Sequence, residues 1–283
     1  MLQPIFGASM LSWVAPQWKD ESGIYAIKKA AAAGFDLIEL GLPPSMEINI
    51  SEIKSTLTKE NIQVTCGLNL PKEAHIPTHP DIAIHMIKKA IDIAEQLGSR
   101  YLGGVLHGAI GVFSGKSRTK EESDKLIEVW NTVGAYAKTK DIQIGIEPIN
   151  RYESYVCTSG EEVLNLINLL EVDNISLHLD TFHMNIEENG FYQPVIKSDK
   201  NLKYFHMTES DRGMLGEGNV HWEDLFKALS EINYQHPLVL ENFTNQVDGI
   251  GSPTSLWRPS KYNADDLAKG SLDFMRMMTE KWN

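Results

Sequence analysis

The sequence predicts a closed (β/α)8 barrel, in which a ring of parallel strands is surrounded by helices. Eight short apolar segments alternate along the 283 residues with eight segments that have helical spacing of apolar side chains. Strict alternation is typical of a parallel sheet, and eight units in a chain of this length favour closure into a barrel. We expect one domain over residues 1–283. An open doubly wound sheet is the alternative, although no Gly-x-Gly-x-x-Gly motif supports a dinucleotide-binding fold.

The elements follow one another without a long interruption. The predicted strands are residues 5–9, 35–40, 62–68, 101–106, 142–146, 175–179, 202–205 and 238–240. The predicted helices are residues 20–33, 49–60, 80–97, 119–139, 158–170, 190–199, 222–232 and 264–281. Gly34 ends one helical segment as a C-cap, and Thr158 with Glu161 predicts a capping box at the start of another. Trp13 and Trp18 fall in the loop after the first strand.

Composition restricts the partners that this chain can have. The formal net charge of −12 argues against nucleic acid and anionic membranes, because both require a basic surface. The two cysteines, Cys66 and Cys157, provide no disulfide framework, which is typical of a reducing cytoplasm. No signal-peptide pattern occurs, and no apolar run approaches the roughly 18 residues of a membrane span. We therefore expect a soluble cytoplasmic protein, whereas the charge says little about small neutral substrates.

Four consecutive predicted strands end in a side chain that can bind a metal ion. These residues are Glu147, Asp180, His206 and Glu241. In a barrel these strand ends lie on one face, where barrel enzymes have their active sites. Three carboxylates so close would repel one another unless a cation lay among them, and this oxygen-rich set suits Mn²⁺, Mg²⁺ or Co²⁺. Four unrelated surface groups are the alternative, but their coincidence on successive strands favours a metal site.

Other side chains near these positions are candidates for binding a substrate. They are Glu153, His183, Arg212, His107, Cys66, Trp13 and Phe243. The charged ones are also consistent with solvated loops, and Cys66 and the aromatic residues are also consistent with packing. Glu39, near the end of the second strand, is indicated more weakly and is not assigned a role.

Several segments of the second half resemble the ketose 3-epimerases. They are Glu-Pro-Ile-Asn-Arg-Tyr-Glu at 147–153, Leu-Asp-Thr-Phe-His-Met-Asn-Ile-Glu-Glu at 179–188, Phe-His-Met-Thr-Glu at 205–209, Gly-Glu-Gly at 216–218 and Leu-Glu-Asn-Phe at 240–243. This family includes the D-tagatose 3-epimerases and the D-psicose (D-allulose) 3-epimerases, within the xylose-isomerase-like barrel superfamily. The resemblance covers most of residues 140–260 and is weaker in the N-terminal half.

The resemblance implies an isomerase that inverts C3 of a free ketohexose or ketopentose, of the D-psicose/D-fructose, D-tagatose/D-sorbose or L-ribulose/L-xylulose type. A proton would be removed and returned through a cis-enediolate, with Glu147 and Glu241 as the acid/base pair. One divalent ion, usually Mn²⁺, would be held by Glu147, Asp180, His206 and Glu241. Glu153, His183 and Arg212 would bind the O1–O2 end of the ketose. The family also implies a homodimer or homotetramer.

Some alternatives stay open at this point. The loop at 106–113 lacks a tryptophan that many family members have there, so the preferred ketose is undetermined. An aldose–ketose isomerase or a sugar-phosphate epimerase would use the same barrel, although no glycine-rich phosphate loop is present. An abasic-site endonuclease also shares the barrel but is opposed by the net charge of −12. A metal-binding domain without catalytic activity is a further alternative.

Overall fold

Eight parallel strands close into one ring in the order in which they occur along the chain. The computed structural model describes residues 2–16 and 19–283, so the predicted loop position of Trp18 lies outside the described residues. The strands are β1 (Phe6–Ser9), β2 (Leu37–Gly41), β3 (Gln63–Gly67), β4 (Tyr101–Gly103), β5 (Gln143–Ile146), β6 (Ile175–Asp180), β7 (Leu202–Met207) and β8 (Leu238–Leu240). The β1–β8 pairing, with Gly7 opposite Val239, closes the ring. The predicted (β/α)8 barrel is confirmed, and the open sheet is excluded.

The described part of the chain contains nine α-helices, one more than predicted. They are α1 (Asp20–Ala33), α2 (Ile50–Glu60), α3 (Pro80–Leu97), α4 (Lys120–Lys138), α5 (Gly160–Ile167), α6 (Thr181–Glu187), α7 (Tyr192–Ser198), α8 (Trp222–Glu231) and α9 (Ala264–Lys281). The additional helix is α6, which is too short to show an amphipathic repeat in the sequence. None of these described helices is long and apolar enough to cross a membrane.

The start of α5 differs from the predicted capping box. The N-cap is Ser159, whose hydroxyl accepts a hydrogen bond from the Glu162 amide at 3.3 Å. The Glu162 carboxylate in turn accepts hydrogen bonds from the amide and the hydroxyl of Thr158, at 2.7 and 3.2 Å. The cap therefore lies one residue later than Thr158 and Glu161, because two adjacent hydroxyl residues offer the same chemistry.

The interior of the barrel holds large aromatic side chains opposite glycines. Tyr101 of β4 and Tyr204 of β7 stack with ring centroids 4.3 Å apart. A Cβ atom on Gly145 would overlap the Tyr101 hydroxyl, and one on Gly103 would lie 2.5 Å from the Tyr101 ring. Successive residues of a strand point to opposite faces, so these inward positions set the phase of each strand. In that phase Asp180 and His206 also point into the barrel, at its C-terminal mouth.

We expect Gly145→Ala to lower the free energy of unfolding by about 3 kcal/mol, because the added methyl group has no space beside Tyr101. Chemical denaturation followed by circular dichroism measures this change. Gly41→Ala is the matched control, since it also adds a methyl group to a strand glycine, and there the nearest atom, Met10 Sδ, is 3.9 Å away. Equal stability of both variants would contradict the packing described here.

Candidate active site

The four side chains predicted as metal ligands come together at the C-terminal mouth of the barrel. His206 Nδ1 lies 3.3 Å from Glu147 Oε1 and 3.8 Å from Glu241 Oε2. Arg212 Nη1 lies 3.0 Å from Asp180 Oδ2 and also contacts Glu241 Oε2. Because the strands are parallel and end at the same rim, groups far apart in the sequence become neighbours. The structure therefore brings all four residues into one largely buried cluster.

Three overlapping groups of this cluster have the arrangement needed to hold a metal ion, with ligand atoms within 4.8 Å of one another. These groups are Glu147 with His178 and His206, Glu147 with Asp180 and His183, and Asp180 with His206 and Glu241. Burying three carboxylates around one guanidinium leaves negative charge in a medium that solvates it poorly. A divalent cation would offset that charge, so the residues fit a metal centre.

Burial and neighbouring charges shift the pKa values of the carboxyl groups in different directions. Burial raises the pKa of Glu241 to about 7, although His206 and Arg212 act in the opposite direction. Burial also raises the pKa of Glu147, against the effect of His206. For Asp180, burial raises the pKa, but the charges of Arg212 and the histidines outweigh it and the net pKa is lowered. Glu241 is thus the carboxyl group whose protonation changes near neutral pH, as a general acid or base requires.

His183 presents a defined nitrogen to the cluster. Its Nδ1 accepts a hydrogen bond from the Asn150 backbone amide at 3.2 Å and lies 2.9 Å from Asn150 Nδ2. The proton is therefore on Nε2, which lies 3.5 Å from Asp180 Oδ2. Burial lowers the pKa of His183 to about 3, so the ring is neutral and Nε2 donates.

Asn150 also connects His183 to Glu153. Its side-chain amide donates to Glu153 Oε1 at 2.9 Å. Asn150 was not predicted as a site residue, although it lies within the segment 147–153 that resembles the family. The signal was therefore present in the sequence, but a buried amide gives no sign of its partners until the fold is known.

Arg212 is held between two aromatic rings. Its guanidinium carbon lies 4.0 Å from the ring centroid of Phe182 and 4.9 Å from that of Phe243. The Arg212 backbone has a φ of +62°, a left-handed conformation, and its carbonyl accepts a hydrogen bond from the Phe243 amide at 2.8 Å. Strained backbone of this kind is typical of functional sites. The structure thus places Phe243 beside Arg212 at the edge of the cluster.

The loop that carries Arg212 is organised by Glu209, which the sequence analysis did not assign. Its carboxylate is fully buried and accepts four hydrogen bonds of 2.8 to 3.1 Å. The donors are the amides of Ser210, Gly216 and Val220 and the indole N–H of Trp222. A Cβ atom on Gly218 would overlap this carboxylate, which explains a glycine in the Gly-Glu-Gly segment.

His107 is buried behind the cluster. Its Nε2 lies 3.1 Å from the Glu147 carbonyl oxygen, so it donates there and supports the backbone of that residue. Burial lowers the pKa of His107 to about 3, and its Nδ1 has no partner among the described residues. His107 therefore lies near the cluster, and its hydrogen bond there is with the backbone of Glu147.

Cys66 and Trp13, both predicted to contact the substrate, lie in the buried apolar core of the protein. On β3 the Thr65 hydroxyl faces Tyr204 inside the barrel at 2.7 Å, so the next side chain, Cys66, points out into the core against the helices. Burial there raises the pKa of its thiol to about 12. Trp13 is buried in the same core and donates its indole N–H to Asp265 Oδ1 at 2.9 Å.

A cavity of about 550 Å³ adjoins the cluster on the side of Arg212. It lies between the loops after β7 and β8, and Phe182, Phe243 and Trp257 contribute to its lining. A larger cavity of about 980 Å³ opens at the N-terminal end of the barrel, beside Asp36 and Lys203. Barrel enzymes act at the C-terminal face, where the buried carboxylates are, so the smaller cavity is the relevant one.

Comparison with known proteins agrees with this fold. A family model described as xylose isomerase-like TIM barrel matches residues 27–278. The L-ribulose 3-epimerase of Methylomonas sp. (strain DH-1) is 33% identical over 96% of each chain, and the ketose 3-epimerase of Arthrobacter globiformis is 29% identical over 91% of each. The crystal structure of D-allulose 3-epimerase from Methylomonas sp. in complex with D-allulose has a TM-score of 0.92 and 32% identity, covering 98% of both chains.

The barrel and the matched model define the class as that of the xylose isomerase-like TIM barrels. Within that class the chain belongs to the family of the ketose 3-epimerases, since it is 33% identical to an L-ribulose 3-epimerase over 96% of its length. Enzymes of that name are isomerases. The resemblance found in the sequence and the prediction of an isomerase are both confirmed.

Proposed function

We propose that this protein inverts C3 of a free ketohexose or ketopentose and that it requires one divalent cation, preferably Mn²⁺. The observation that carries this proposal is the pair of Glu147, which is buried, and Glu241, which is largely buried, both close to the same nitrogen of His206. Such a pair can serve two faces of a substrate that lies between them. The relatives named L-ribulose, ketose and D-psicose 3-epimerase support the substrate class.

The cation would be held by Glu147, Asp180, His206 and Glu241, whose three carboxylates and one imidazole suit Mn²⁺, Co²⁺ or Mg²⁺. When bound, it would supply Lewis-acid polarisation of the ketone and thereby make the neighbouring C–H group more acidic.

The chain's own residues supply the proton transfers. One of Glu147 and Glu241 removes the proton from C3, and a cis-enediolate results. The other returns a proton to the opposite face of C3, which inverts the carbon. The raised pKa values of both carboxyl groups match this requirement, since each group must hold a proton in one direction of the reaction. The mechanism is therefore reversible and symmetric in its two carboxyl groups.

Three other side chains would position the ketose. His183 donates from Nε2, and Arg212 donates from its guanidinium, to the oxygens at the O1–O2 end. Glu153, fixed by the Asn150 amide at 2.9 Å, accepts a hydrogen bond from a substrate hydroxyl. Holding the O1–O2 end of the ketose in this way places C3, and not C1, between the two glutamates. This positioning selects epimerisation over aldose–ketose isomerisation.

A cytoplasmic location and a homodimer or homotetramer are also part of this proposal. Both cysteines, Cys66 and Cys157, are free and buried, which is consistent with a reducing compartment. The oligomeric state is supported by the family resemblance and is measurable by light scattering.

The reaction is tested by incubation of the protein with Mn²⁺ and a panel of ketoses in D₂O. The panel contains D-psicose, D-tagatose and L-ribulose, each free and phosphorylated, and products are resolved by chromatography and NMR. We expect epimers of the free sugars with deuterium at C3 alone. Deuterium at C1, with an aldose as the product, would overturn the proposal in favour of an aldose–ketose isomerase. Turnover of the phosphorylated sugars alone would replace the proposed substrate class.

A further inference from the structure

Glu39 is a buried carboxylate near the C-terminal end of β2 that has no role in the mechanism described above. Both of its oxygens face His206, with Nε2 at 3.2 Å from Oε1 and 3.1 Å from Oε2. The two residues are 167 positions apart in the sequence and meet across the interior of the barrel. Removing a carboxylate from water is costly unless it is paired and hydrogen-bonded, and here the imidazole of His206 provides that partner.

The two nitrogens of His206 face different partners. Nε2 faces Glu39, whereas Nδ1 faces Glu147 at 3.3 Å and Glu241 at 3.8 Å. Among the described residues, Glu39 belongs to none of the groups whose atoms could hold a metal ion together. The imidazole therefore separates Glu39 from the candidate metal centre. A histidine that binds a metal through one nitrogen commonly donates from the other to a carboxylate.

The surroundings hold Glu39 in this position. Gly67 lies beside the carboxylate, since a Cβ atom there would be in ordinary van der Waals contact with Glu39 Oε1 at 3.4 Å. Tyr204, whose hydroxyl contacts Thr65 Oγ1 at 2.7 Å, is a further neighbour of the carboxylate inside the barrel. Glu39 is therefore confined between the inner wall of the barrel and His206.

We propose that Glu39 is a positioning residue for the metal centre. It accepts the Nε2–H hydrogen bond of His206, which fixes the ring orientation and leaves the lone pair of Nδ1 directed at the cation between Glu147 and Glu241. This inference rests on the proposed cation site and adds a residue that acts on the cation only through His206. Its negative charge also makes the imidazole a stronger ligand.

Mn²⁺ affinity tests this role independently of epimerisation. Free Mn²⁺ is measured by electron paramagnetic resonance in titrations of the wild-type protein, Glu39→Leu and Glu39→Gln. We expect Glu39→Leu, which has no acceptor, to weaken Mn²⁺ binding by about 10- to 100-fold. Glu39→Gln retains a neutral acceptor and should show a smaller loss. Asp36→Asn is the matched control, because it removes a carboxylate just before the start of the same strand, at the N-terminal end of the barrel, and its Mn²⁺ affinity should stay unchanged.

The tautomer of His206 gives a second measurement. In protein labelled with ¹⁵N-histidine, the His206 signals, assigned by their absence in His206→Gln, should report Nε2–H in the Mg²⁺-loaded wild type and in Glu39→Gln. Wild-type Mn²⁺ affinity in both Glu39 variants would overturn the role of Glu39, and so would failure of the wild-type protein to bind Mn²⁺. If the Glu39 variants bind Mn²⁺ more weakly, as expected, but the wild-type protein epimerises no ketose, only the proposed reaction is overturned.

Discussion

We expect Glu241→Gln to lower the turnover of a ketose by about a thousandfold at saturating Mn²⁺, and Glu147→Gln to do the same. Glutamine has nearly the same shape but neither takes up nor releases a proton, so one face of C3 loses its acid or base. The effect should be large because a positioned acid or base typically contributes about 10²- to 10⁴-fold to the rate of a proton transfer. Initial rates with D-psicose and L-ribulose measure the loss.

The control for this experiment is Glu95→Gln, which changes an exposed glutamate on α3 whose carboxylate lies 2.7 Å from Lys140 Nζ. Its turnover should stay within about twofold of the wild type. A variant that lacks one base can still exchange the C3 proton of the epimer that presents it to the remaining glutamate. Exchange into one epimer without net epimerisation would identify which face each glutamate serves. Undiminished turnover in either site variant would refute the two-base mechanism.

The positions of the metal-binding candidates could be predicted because they depend only on strand order. Asp180, His206 and Glu241 each follow a recognisable apolar strand, and parallel strands of a barrel deliver their ends to one rim. The directions in which individual side chains point were harder to predict from the sequence. Cys66 and Thr65 are adjacent, and a shift of one residue in the phase of β3 decides which of them points inward.

Partners that meet across the barrel could not be read from the sequence at all. His206 meets Glu39 over 167 residues, and Asn150 fixes the tautomer of His183 over 33. Neither pairing has a local pattern, because each depends on the register of strands and the length of loops. The same holds for Glu209, which looks like one acidic loop residue in the sequence but is the centre of four hydrogen bonds in the fold.

Asp180→Asn should separate binding of the cation from proton transfer. Asp180 Oδ1 accepts the Phe182 amide at 2.8 Å and caps α6, and asparagine preserves that cap. The variant loses a charge that faces Arg212 at 3.0 Å and the candidate metal centre. Loss of a residue that only hydrogen-bonds to a metal ligand typically lowers metal affinity by about 10- to 100-fold. Loss of a charged ligand itself should therefore lower it by about a hundredfold or more.

Activity of Asp180→Asn should therefore be low at micromolar Mn²⁺ and recover in part as Mn²⁺ is raised, whereas Glu241→Gln stays inactive at every concentration. Titrating Mn²⁺ into both variants, with initial rates and calorimetry as the two measurements, distinguishes a ligand from a ligand that also moves protons. Asp180→Asn with wild-type Mn²⁺ affinity would remove Asp180 from the metal centre. Recovery of Glu241→Gln at high Mn²⁺ would instead leave Glu241 as a ligand only, and the proton transfer on its face of C3 would need another base.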